Sequence, residues 1–178
     1  MISNPLSGRT QGYHLFLVPN EEASQKFFSI INSIASTYQS PTFPPHVTLL
    51  SNISGDEKEL CTQAQKLALK LAPQILTVSG VSTEDSFFRA LYLKVQEIVP
   101  LTEMHKNASA TFAMPVAEYT PHLSLLYGTY PEDTKQETVR LVSPLQGFEF
   151  VLSTLALYRT EGEVTEWEKI ASFPLGTS

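Results

Sequence analysis

The chain contains one hexapeptide twice: Pro45-His46-Val47-Thr48-Leu49-Leu50 and Pro121-His122-Leu123-Ser124-Leu125-Leu126 differ only by Val for Leu and Thr for Ser. Each copy is apolar and β-prone, and each sets a histidine two places before a hydroxyl residue. Side chains at i and i+2 of a strand share a face. Both copies therefore read as strands that present an imidazole and an alcohol on one side and bury aliphatic residues on the other. Equivalent strands call for equivalent surroundings, so the repeat constrains the whole fold.

The surroundings do repeat. Tyr13 to Val18 reads as a strand closed by Pro19, and Asn20 as the cap of a helix whose Phe27, Ile30, Ile31, Ile34 and Tyr38 recur at three- and four-residue spacing. A proline-rich connection, Pro41 to Pro45, leads into the first histidine strand. Ser54-Gly55-Asp56-Glu57 reads as a capping box, opening a helix with Leu60, Ala64, Leu67 and Leu71 on one face and ended by Pro73. Ile75 to Val81 and Phe87 to Val95 read as strands around an acidic turn.

The second half follows the same order. A strand near Ala90 to Val95 precedes a helix from about Pro100 to Phe112, with Leu101, Met104, His105 and Ala108 on one side. After the second histidine strand, Thr129-Tyr130-Pro131-Glu132 reads as a capping box for a helix carrying Val139 and Val142 and stopped by Pro144. Phe148 to Tyr158 and Trp167 to Phe173 read as closing strands, with Glu161-Gly162-Glu163 turning between them. Tyr13 lies 33 residues before His46, and Phe88 lies 34 before His122. The expected fold is α+β: a single domain over residues 1–178 made of two duplicated lobes, about 13–84 and 87–175. Mixed or antiparallel sheets flanked by helices would meet at a central cleft.

Composition narrows the function. A chain of 42% hydrophobic and 17% charged residues is globular rather than disordered. The net charge of −6 argues against extended nucleic acid as a partner, because neutralising a phosphate backbone takes clustered Lys and Arg. A small anionic substrate stays compatible, since a local pocket can oppose the global sign. The single cysteine, Cys61, excludes an intrachain disulfide and a cysteine-rich zinc site. Met1 to Gln11 lacks the apolar core of a signal peptide, and no apolar run reaches membrane-spanning length. The expectation is a soluble, intracellular, cytoplasmic monomer; peripheral attachment to an organelle would leave no mark in the sequence.

Two His-x-hydroxyl strands around one pocket suit hydrolysis of a phosphodiester. A neutral imidazole takes a proton from water and a protonated one donates to the leaving oxygen, each role being worth about 10²- to 10⁴-fold in rate. Histidine's ordinary pKa, near 6.5, lets both forms exist near neutrality. Thr48 and Ser124 can donate to phosphate oxygens, and a negative acceptor strengthens such bonds. A five-membered cyclic phosphate is strained already, so a metal ion is not obligatory. One His-x-Thr strand alone would read as structural; the matched pair carries the inference.

On these motifs the chain resembles the two-histidine phosphoesterase superfamily, and within it the cyclic phosphodiesterases of fungi and plants, over about Tyr13 to Leu175. The compact length, Phe87-Phe88-Arg89 before the central strand, and Tyr127 after the second motif favour that branch. The resemblance implies a bilobal α+β fold and opening of 2′,3′-cyclic nucleotides to nucleoside 2′-phosphates without metal or other cofactor. It also implies action on ADP-ribose 1″,2″-cyclic phosphate, a by-product of tRNA splicing. By position, His46 and His122 match the catalytic histidines, Thr48 and Ser124 the phosphate-binding hydroxyls, and Tyr127 a tyrosine near the phosphate. Alternation alone would turn Tyr127 to the opposite face from His122; it joins the site only if the strand ends or bulges near Leu126, which Gly128 permits.

Phe87 and Phe88 are candidates for stacking on the base, one of the two rather than both, because neighbouring strand positions face opposite ways. Arg89 is expected to pair with Glu84 or Asp85. His14 reads as a partly buried or edge histidine, His105 as surface or packing, Trp167 as packing, and Glu161 to Glu166 as a solvated hairpin end. Two alternatives stand beside the leading reading. One is an RNA-end-processing enzyme of the superfamily, such as a 2′–5′ RNA ligase or an oligonucleotide phosphodiesterase. The other is a module that binds nucleotides without turning them over.

Overall fold

The structure, a computed structural model, describes residues 8–176; of the Met1–Gln11 stretch, residues 1–7 lie outside that range. Nine strands and four helices follow one another: β1 (Arg9–Thr10), β2 (Tyr13–Pro19), α1 (Glu21–Tyr38), β3 (Val47–Ile53), α2 (Glu57–Lys70), β4 (Gln74–Ser82), β5 (Leu91–Val95), α3 (Ile98–Thr111), β6 (His122–Leu126), α4 (Glu132–Val142), β7 (Glu149–Arg159), β8 (Gly162–Glu163) and β9 (Glu168–Pro174). The α+β class is as expected, and all the strand pairings are antiparallel.

The seven longer strands form one sheet that closes on itself, its two parts, β9-β7-β2-β3 and β4-β5-β6, joined at both ends. At one end Gln74–Thr77 pairs with Glu149–Leu152; at the other Val47 pairs with Leu123. The sequence halves therefore exchange strands. β7 and β9 join β2 and β3 from the first half, while β4 leaves the first half to join β5 and β6. Length explains the exchange: β7 runs for 11 residues, long enough to pair with β2 along one edge and with β4 and β9 in turn along the other.

The helices cover the sheet with the faces their spacing marks out. Phe27, Ile31 and Ile34 of α1, Leu60, Ala64 and Leu67 of α2, and Leu101, Met104, His105 and Ala108 of α3 are buried. Each large apolar side chain so removed from water stabilises the fold by about 1.5–3 kcal/mol before entropy is counted. No helix among the described residues is long and apolar enough to cross a membrane.

Local details depart from the sequence reading. Asn20 holds the cap position of α1, but its side chain makes no cap bond; its backbone amide instead donates to Val151, tying the helix start to β7. Asp56, rather than Ser54, caps α2, accepting from the amides of Lys58 and Glu59 at 3.0 and 3.2 Å. No side chain caps α4; Pro131 stands at its cap position. Phe87–Arg89 forms a 3₁₀ turn, not the start of a strand. The Phe87 carbonyl accepts from the Gly128 amide and the Phe88 carbonyl from the Ser124 hydroxyl, two bonds that bind this turn to the end of β6. Nor is Glu161 to Glu166 merely a solvated hairpin end. Gly162–Glu163 pairs with Arg9–Thr10, Val164 is buried, and Glu163 and Glu166 cap the turn reciprocally.

Candidate active site

The two motif strands lie side by side and antiparallel, joined at Val47 and Leu123. Extending that register by one residue sets His46 across from Ser124 and Thr48 across from His122. All four side chains flank the bridged pair on one face, where directly opposed Cβ atoms stand roughly 4.5–5.5 Å apart. Each imidazole thus faces the other motif's alcohol, and a local twofold axis passes through the bridge. All four line one cavity of about 240 Å³.

The symmetry extends outward. Phe16 on β2 pairs with Thr48 and stacks on His46, ring centroids 3.7 Å apart and planes 16° from parallel. Tyr92 on β5 pairs with Ser124 and packs against His122 at 5.2 Å and 67°. His46 Nδ1 lies 2.6 Å from the carbonyl of Pro44, and His122 Nδ1 lies 2.8 Å from that of Thr120. A carbonyl only accepts, so each Nδ1 carries the hydrogen and each Nε2 is left to react. The proline before each histidine has a local role here. It fixes its own φ and holds the residue before it extended, where that residue's carbonyl meets the ring.

Burial dominates the electrostatics of both imidazoles. It pushes His46 down to about 3, with the neighbouring His122 and His14 rings adding to the shift against the opposing Pro44 bond. His122 is likewise lowered, first by burial and then by the Arg89 guanidinium, while the Thr120 bond and the Glu84 carboxylate oppose. The flanks are therefore unlike. His122 looks onto an ion pair, Arg89 with Glu84 at 2.7 Å, whose carboxylate also accepts from the Tyr92 hydroxyl at 2.9 Å. His46 looks onto Phe16 and His14.

The other candidates divide. Tyr127 is brought into the cavity wall: β6 ends at Leu126, Gly128 takes a φ of +138°, and the Tyr127 ring stacks on Phe43 at 3.6 Å. Its phenol is pushed well above the usual range by burial, which keeps the proton on it. Phe88 lines the cavity, whereas Phe87 packs behind it and lines a separate hollow. Arg89 pairs with Glu84; Asp85 pairs instead with Lys135.

Two residues set aside on sequence grounds also reach the cavity. His14 is buried on its wall, with Nδ1 bonded to the Thr160 hydroxyl. Trp167 lies 6.1 Å from the Phe88 ring, their planes 24° apart, and its indole N–H donates to Thr10. His105 is buried in packing, as read. Period-two spacing puts His14 on the face of Phe16, which is the signal that would have found His14; no such signal marks Trp167. The Ser124 hydroxyl donates to the Phe88 carbonyl at 2.8 Å, so its proton must swing to reach an anion; Thr48 has no such bond among the described residues.

Residues 12–175 match the family model for cyclic phosphodiesterase-like proteins. The cyclic phosphodiesterase of Arabidopsis thaliana is 31% identical over 174 residues, covering 89% of this chain and 92% of the relative. A 2′,3′-cyclic-nucleotide 3′-phosphodiesterase of Yarrowia lipolytica is 27% identical over 208 residues, covering 88% and 96%. Among solved structures, TT0787 of Thermus thermophilus superposes with a TM-score of 0.64 at 16% identity, covering 93% of this chain and 99% of that one. It shares the fold.

Proposed function

Since the chain belongs to the cyclic phosphodiesterase-like family, within the two-histidine phosphoesterase superfamily, we propose that it hydrolyses 2′,3′-cyclic nucleotides to nucleoside 2′-phosphates. The observation that carries this reading is the single cavity lined by two imidazoles and two alcohols, each ring with its Nδ1 already engaged. One Nε2 accepts a proton from water as the water oxygen bonds to phosphorus. The other, protonated, donates to the ribose 3′ oxygen as the P–O3′ bond breaks. The nonbridging oxygens accept from Thr48 and, after rotation of its hydroxyl, from Ser124. Hydrogen bonds to a charged group contribute about 1.5–3 kcal/mol each. Tyr127 borders the same space, and Phe88 and Trp167 offer aromatic surface to the base. We extend the reading to ADP-ribose 1″,2″-cyclic phosphate, a cyclic phosphate ester whose remainder would lie in the neighbouring groove of about 600 Å³, which shares Thr48, Ser51, Arg89 and His122 with the cavity.

The test incubates the protein with the four 2′,3′-cyclic mononucleotides in EDTA and reads the position of the product phosphate by ³¹P NMR. Turnover to 2′-phosphates, lost by at least about 10²-fold in His46→Ala and in His122→Ala while both stay folded, is the expected result. A variant with near-wild-type activity refutes the mechanism. Preference for an oligonucleotide bearing the same cyclic end would move the assignment to RNA-end processing. Binding of a nucleoside 2′-phosphate with no hydrolysis would leave a binding module.

A further inference from the structure

The seam between the two motif strands is held by less backbone than its neighbours. β3 and β6 share one paired position, whereas β2 shares four with β3 and β5 shares four with β6. One pair does not by itself fix how far apart, or at what angle, His46 and His122 stand. The approach to β6 supplies a second tie. The Tyr119 hydroxyl donates to the Thr48 carbonyl at 2.9 Å, and the carbonyl of the next residue, Thr120, accepts from His122 Nδ1 at 2.8 Å. Two consecutive residues thus hold the first motif's strand and the second motif's ring. Behind them, His105 of α3 lies flat on the Tyr119 ring, centroids 4.4 Å apart and planes 6° from parallel. Its Nδ1 donates to the carbonyl of Leu49, at 2.8 Å. Two successive carbonyls of β3 are therefore gripped from one stacked pair of rings.

We propose that Tyr119, backed by His105, is a positioning residue that fixes the separation of His46 and His122 across the seam. Neither ring lines the cavity that holds the motif side chains; both line the adjoining groove assigned above to the remainder of a larger ester, so toward a cyclic mononucleotide, the substrate of the test below, they act through the strand rather than on substrate. Burial keeps the phenol protonated at every working pH, so the donor is permanent. A pair of proton-transfer groups is sensitive to spacing: a displacement of about 1 Å can cost on the order of 10²-fold.

The inference rests on the hydrolytic reading above, and the experiment separates the two. Tyr119→Phe keeps the stacked ring and removes only the hydroxyl. The expected result is a fall in kcat of about 10- to 100-fold with KM within about twofold, measured where the variant is fully folded. The Cε1–H NMR signals of both His46 and His122 should move. If the wild-type protein turns over no cyclic nucleotide, the hydrolytic reading fails and the NMR signals alone judge the strut. The proposal is overturned if kcat stays within about twofold of wild type, if KM rises in step with the loss, or if either signal stays in place. Should Tyr119→Phe not fold, His105→Phe, which keeps the stack and loses the bond to Leu49, is read by the same criteria.

Discussion

Acid should unfold this protein by loading protons onto its histidines, and the size of the effect follows from burial. His46 is held down to about 3 and His14 to about 4, against 6.5 for an exposed imidazole, in both cases because burial disfavours the charged ring. The unfolded chain therefore binds protons that the folded chain refuses, and stability falls as pH drops below about 6.5. At about pH 5 the folded values hardly enter, since both rings are still neutral there; the unfolded pKa sets the loss. Each ring then costs roughly 2 kcal/mol relative to about pH 7.5, and the two together about 4 kcal/mol. That is a large share of the 5–15 kcal/mol typical of a domain. His122, also lowered, adds in the same direction. Urea unfolding of wild type, His46→Gln and His14→Gln at the two pH values isolates the effect, because carboxylates and the cost of substitution cancel in the double difference. Each variant should lose about 2 kcal/mol less than wild type on acidification. A variant whose loss matches wild type within about 0.5 kcal/mol would show that its ring is not buried neutral.

The two alcohols should separate in experiment. Ser124→Ala leaves the Phe88 carbonyl without its donor and should cost about 1–3 kcal/mol in urea unfolding, whereas Thr48→Val should leave stability within about 1 kcal/mol and lower kcat/KM by roughly 10- to 100-fold. Phe16→Leu removes the ring stacked on His46; thermal unfolding should register a loss of about 1–3 kcal/mol, and the His46 Cε1 proton, no longer over a ring face, should move downfield.

What could be read in advance was whatever depends on spacing along the chain. The period-two pattern of Pro45 to Leu50 put His46 and Thr48 on one face, and the three- and four-residue spacing of Phe27, Ile31 and Ile34 marked the buried side of α1. What escaped depends on partners far away in sequence. The turn at Phe87–Arg89 forms because its carbonyls meet Gly128 and Ser124, and no local pattern announces that. The exchange of strands between halves turns on the length of β7 and on which edge each neighbour takes. Trp167 reaches the cavity only because β9 lies along β7, which carries Tyr158 and its contact with Phe16. The stack of His105 on Tyr119 joins a helix to a loop through a geometry that only coordinates reveal.

The bridge at Val47 and Leu123 makes the heart of the cavity nearly palindromic. A bond laid across it meets an imidazole and an alcohol whichever way it is threaded, so the motifs themselves carry no sense of direction. Direction is written in the unlike walls: Phe16 and His14 beside one ring, and Glu84, Arg89 and Tyr92 beside the other. Exchanging those walls while leaving both motifs untouched is how a site of this plan would come to expel the opposite oxygen.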